Sequence, residues 1–134
     1  MKKIQLLFIF LFFSISIYAQ DKTAEVYIIR DTQSIGSLTK FEVFVDDEII
    51  CEIKNHKYII TNLTPGIHKF SVQMTGKKSK ANVDHFELEL EANEEYYLQV
   101  ETPSSVMGSS HFTEVTKNSA NKIIPKLEEQ EDCD

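Results

Sequence analysis

From residue 86 to residue 91 the chain alternates without a break: Phe86, Leu88 and Leu90 fall on one side, Glu87, Glu89 and Glu91 on the other. Successive side chains of an extended backbone point to opposite faces, so a period of two describes a strand with one face buried and one in water. The same signature recurs along the chain. Phe41, Val43 and Val45 alternate, and Ile49, Cys51 and Ile53 align after Asp46-Asp47. His68, Phe70, Val72 and Met74 share a face, as do Tyr96, Leu98 and Val100. Residues 25–30, 57–61 and 112–115 are dense in the β-branched and aromatic side chains that suit a pleated surface.

Turn signals separate these runs. Asp46-Asp47 sits at hairpin spacing. Asn55-His56 reverses the chain again. In Leu63-Thr64-Pro65-Gly66, proline presets φ for the second turn position and glycine accepts the positive φ of the third, the signature of a type II turn. Residues 31–37, 76–80 and 102–110 read as loops. No segment of helical length lies between two strands, which argues against a parallel α/β arrangement. The expected fold is all-β: an antiparallel β-sandwich of seven to eight strands, with a short C-terminal helix over 118–127 that Pro125 breaks or opens.

The N-terminus has a different character. Lys2 and Lys3 precede an apolar run from Ile4 to Phe13, which continues through Ser14 and Ser16 to Tyr18-Ala19-Gln20. A basic n-region, an apolar h-region and a small residue before a cut site spell a secretory signal peptide over 1–19, cleaved after Ala19. The run is too short and too interrupted for the ~20 apolar residues of a membrane span. The expected organisation is therefore a signal peptide (1–19), one β-sandwich domain (20–127) and an acidic disordered tail (128–134). Cleavage places the chain in the periplasm or outside the cell, with no membrane span left. No cysteine follows the apolar run to accept a lipid anchor.

Cleavage would also remove two of the 14 basic residues, against 21 acidic ones. That balance argues against nucleic acid and anionic lipid as partners, since both require clustered Lys and Arg. The two cysteines are Cys51, in a strand, and Cys133, next to last in the acidic tail. In an oxidising compartment they could pair. The tail composition favours the other state, a buried Cys51 and a frayed Cys133.

In order along the chain stand Val26-Tyr27-Ile28-Ile29-Arg30, Phe41-x-Val43-x-Val45-Asp46, Ile50-x-x-Ile53-Lys54-Asn55, Tyr58, Leu63-x-Pro65-Gly66-x-His68 and Tyr96-Tyr97-Leu98. This ordered set resembles the bacterial domain-of-unknown-function family 2846, over about residues 24–116. It is also similar in style to PEGA-type surface modules, with their Asp-Gly hairpin and Leu-x-Pro-Gly-x-His step. The resemblance implies a small exported β-sandwich, often tethered as a lipoprotein in related chains, and brings no catalytic residues. Here Asp47 stands where the hairpin glycine is usual, and the lipid-accepting cysteine is missing.

The candidate chemistry is sparse. His56, His68, His85 and His111 show neither an i, i+4 pair nor zinc-finger spacing, so no metal and no cofactor are expected. His68 follows the Pro-Gly turn, where its ring can bond the loop backbone and pin it. Ser104, Ser105, Ser109 and Ser110 crowd one loop beside His111 but lack a Gly-x-Ser-x-Gly elbow. The glutamates of 87–91 stand about 7 Å apart along a strand, too spread for one ion, and read as a solvated face. Tyr97 faces away from Leu98 and is the aromatic expected on a binding surface. Tyr97, His68 and His111 are thus the candidate ligand-surface residues. The expected function is a non-enzymatic structural or interaction module of the cell envelope, with an envelope protein or a glycan as partner. The alternative is a small-ligand or glycan binder using Tyr97 and the 102–110 loop.

Overall fold

The computed structural model describes residues 22–32, 38–76, 85–103 and 108–133. The signal peptide assigned to 1–19, most of the 31–37 loop, the lysine loop at 77–80, and Ser104 and Ser105 lie outside them.

Among the described residues, nine strands form two sheets. The first holds β1 (Ala24–Arg30), β4 (Lys57–Leu63), β7 (Glu95–Glu101), β8 (His111–Glu114) and β9 (Glu128–Glu129), in the order β8-β7-β1-β4-β9. The second holds β2 (Phe41–Val45), β3 (Glu48–Ile53), β5 (Gly66–Met74) and β6 (Phe86–Leu90), in the order β3-β2-β5-β6. The facing rows interdigitate as a sandwich. Ala24, Val26, Ile28, Leu98 and Val100 of one sheet meet Phe41, Val43, Phe70, Val72 and Leu90 of the other. Phe70 and Phe112 meet edge to face, centroids 6.4 Å apart.

Most pairings are antiparallel, but β1–β7 and β4–β9 are parallel. A parallel pair needs a long crossover. Here the crossover between β1 and β7 is not a helix: it contains the whole second sheet.

Asp46 and Asp47 form the two-residue β2–β3 turn, with φ of 51° and 67°. Both central positions of such a hairpin need positive φ, which aspartate tolerates better than most residues. Asp46 is held there by the Lys69 N–H donating to its carboxylate at 2.9 Å. A bulge between Val43 and Phe44 shifts the β2–β3 register. Cys51 and Ile53 stay inside, but Ile49 leaves the face the alternation assigned to it and is 52% exposed. The turn at Asn55-His56 carries the chain from one sheet to the other, so β3 and β4 are sequential without pairing.

Helix α1 (Lys117–Ile123) is capped by Thr116, whose hydroxyl accepts from the Ser119 N–H. A 3-10 turn over Ile124–Lys126 follows, with Pro125 in its opening turn. Seven residues do not hold a helix in water unaided. This one is stabilised by docking on the outer face of the first sheet, where Ala120 is fully buried against Ile29 and Tyr97. The fold thus has a third, partial layer.

The tail does not fray. Glu128 and Glu129 pair with Lys57 and Tyr58, Gln130 is 8% exposed, and Cys51 and Cys133 form a disulfide. The expected free Cys133 is corrected by a tail that is held over almost its whole length.

Candidate functional site

The three candidate surface residues stand on three different strands, β7, β5 and β8. Tyr97 is 6% exposed, the most buried of the four strand tyrosines. Its parity is as expected, facing away from the sandwich interior, but α1 covers that face. Its ring stacks on Tyr27 at 4.9 Å, and Tyr27 stacks on Tyr58 at 6.5 Å. Each hydroxyl donates to a carboxylate: Tyr97 to Glu95, Tyr27 to Glu25, Tyr58 to Glu129. Burial first, then the neighbouring carboxylate, pushes Tyr27 up to about 12 and raises Tyr97 further. Lys117 holds Glu95 below the usual carboxylate range, helped by the Tyr97 hydroxyl. This row cements a helix to a sheet.

His68 pins backbone. Its Nε2 lies 2.7 Å from the Thr64 carbonyl and its Nδ1 2.6 Å from Asp46. It therefore ties the β4–β5 turn to the β2–β3 turn. The Lys69 N–H, and with it His68, holds the Asp46 carboxyl below its ordinary value. His111 opens β8 opposite Glu101 and is exposed. No hydrogen bond or ring contact described joins Tyr97, His68 and His111.

Chemistry gathers instead at the end of the sandwich where β1 stops and β3 passes to β4. Asn55 accepts from both the Thr32 N–H and its hydroxyl at 2.9 Å, and donates to the Thr32 carbonyl at 2.8 Å. His56, in the left-handed region at φ 57°, lies 2.7 Å from Asp31 through Nδ1. Beneath them Arg30 is fully buried. It donates to the Ile53 carbonyl at 2.8 Å, and its guanidinium lies 4.2 Å over the Phe41 ring. Burial lowers its pKa to about 10, which leaves it charged at neutral pH. Above lies an open cleft of about 430 Å³ lined by Leu38, Thr39, Lys40, Lys54, Asn55 and His56. Around it stand Lys54, Lys40 paired with Glu52 at 3.3 Å, His56 paired with Asp31, and a fully exposed Leu38. Among the described residues, no hydroxyl or thiol hydrogen-bonds to His56, and no three His, Cys, Asp or Glu side chains are placed to hold a metal.

Sequence reading missed Arg30, Thr32 with Asn55, and Gln130. The first two carry no local signal, because their partners lie 23 residues away. Gln130 carries one: it is the single uncharged residue among residues 128–132, and it is the one that is buried.

No curated protein matches the chain. The family described as "Protein of unknown function (DUF2846)" matches residues 20–112. That span takes in β1 to β7 and the start of β8, with the Asp46–His68 and Thr32–Asn55 pins, and stops short of α1 and the tail. The match covers most of the chain, and the protein belongs to the DUF2846 family.

Proposed function

We propose that this protein is a non-enzymatic module exported to the periplasm or beyond after cleavage at Ala19, acting in the envelope by binding or bracing another component. The observation that carries this reading is the Cys51–Cys133 disulfide, since such bonds persist in oxidising compartments. The uses of the polar side chains agree. His68, Asn55 and Gln130 are each committed to backbone rather than gathered round a reacting centre. Fractionation of cells expressing the full chain, with thiol trapping at lysis, tests it. The expected result is a periplasmic or secreted species starting at Gln20 with both cysteines oxidised. A cytoplasmic species that retains residues 1–19 and two free thiols overturns it.

A second reading, a small-ligand or glycan binder, is favoured by the cleft at Leu38, Lys40, Lys54 and His56 rather than by Tyr97. Glycan arrays and ligand-induced shifts of the Asn55 and His56 amides test it. A blank array with unmoved amides disposes of it.

A further inference from the structure

The C-terminal strap, residues 128–133, crosses from one sheet to the other. At its start β9 lies parallel to β4 over two residue pairs, and the Gln130 N–H donates to the Tyr58 carbonyl at 2.8 Å. At its end the Glu52 N–H donates to the Cys133 carbonyl at 3.4 Å, beside the disulfide to Cys51 on β3. Between these the Gln130 amide donates to the Glu52 carbonyl at 2.8 Å and accepts from the Lys54 N–H at 2.9 Å. Lys57 forms an ion pair with Glu128. Every hydrogen bond described between the strap and the rest of the chain goes to residues 51–58. Without the strap, β3 and β4 are two open sheet edges side by side. Open edges of this kind are templates for another strand.

We infer that the β3–β4 seam is a strand-acceptor site which, once the disulfide is reduced, takes the strap of a second copy of this chain. The occupant is specified by the contact already present. The seam recognises an extended acidic segment with an amide at the third position and a thiol at the sixth, and residues 128–133 of another copy are that segment. The hinge is the 3-10 turn at Ile124–Lys126, followed by extended Leu127. Opening requires a dithiol reductant. One of its thiolates attacks a sulfur of the Cys51–Cys133 bond, and its second thiol resolves the mixed disulfide. The protein disulfide gains two electrons and two protons and becomes two thiols while the reductant closes to a cyclic disulfide. Oxidised glutathione then joins Cys51 of one copy to Cys133 of the other and leaves as two molecules of glutathione. Tethering gives the chain's own strap an effective concentration in the millimolar range. Exchange is therefore favoured by high protein concentration.

This goes beyond the proposed export, since exchange is read on purified protein whatever its compartment of origin. Isotopically heavy and light full chains are mixed, reduced with dithiothreitol, concentrated and reoxidised with glutathione disulfide. The expected result is a covalent dimer in which a heavy Cys51 peptide is linked to a light Cys133 peptide, while the reduced protein keeps its β-sheet circular dichroism. In that reduced state, hydrogen-exchange protection is lost at the Lys54 and Gln130 amides and retained in β1 and β7. Gln130→Ala with Lys57→Glu is expected to reduce the dimer yield several-fold with the sheets intact. Cross-links confined to heavy–heavy and light–light peptides within monomers overturn the inference. So does loss of the sheet signal on reduction, because mixing would then report unfolding rather than release of the strap.

Discussion

At the scale of single residues, stability is concentrated in a few polar pins whose partners are distant in sequence. Asn55 satisfies three groups of the nearly buried Thr32. Removing it leaves those groups unpaired, so Asn55→Ala is expected to cost about 1–3 kcal/mol, read as a lower urea midpoint at unchanged slope. Asp46 gives a signed pH effect. Its carboxyl titrates below its ordinary value of 3.8, held there by the Lys69 N–H and His68. The stability it adds is full above 3.8 and is lost as the pH falls through the lower folded value. Asp46→Asn is expected to flatten that part of the acid limb in urea midpoints taken across pH. Tyr27 acts at the other end. With its folded value pushed up from 10.0 to about 12, its contribution is complete below pH 10 and disappears between there and pH 12. Spectrophotometric titration is expected to show tyrosinate forming together with unfolding rather than before it.

At the scale of elements, α1 and the strap decide what the sheets can present. Tyr97→Ala removes the ring that seats α1 and is expected to cost about 3–5 kcal/mol, whereas Tyr97→Phe, which loses only the bond to Glu95, costs about 0.5–1.5 kcal/mol. Urea unfolding of the two variants separates ring packing from hydroxyl bonding. The disulfide closes a loop spanning 82 residues. On the chain-entropy model its loss costs about 4–5 kcal/mol, which a comparison of Cys51→Ser/Cys133→Ser with the oxidised protein measures. These elements also mark where sequence reading works. β2, β5 and β6 are legible because alternation is local and one sheet face is the more buried, and β7 is legible by the same alternation although α1 covers part of its other face. Ile49 was misassigned because one bulge reverses parity, and a bulge leaves no mark in composition. Tyr97 was assigned the correct face and the wrong exposure, because covering that face depends on a helix 20 residues later. His68 was legible as a pin because it follows Pro65-Gly66. The Asp31–His56 pair was not, because only the folded chain brings a loop end and a turn together.

At the scale of the whole molecule, the order of strands in space departs most from their order in sequence at β1. It lies in the middle of its sheet, flanked by β4 and β7. Its inner residues, Val26 and Ile28, reach Tyr96 and Leu98 only across the parallel ladder. During synthesis, a chain that has emerged as far as Leu90 holds every strand of the second sheet but lacks the neighbour on one flank of β1. Such long-range pairings close late and slowly. The earliest strand made must wait for one made some seventy residues later, so its sheet cannot close on that flank until the last third of the chain is released.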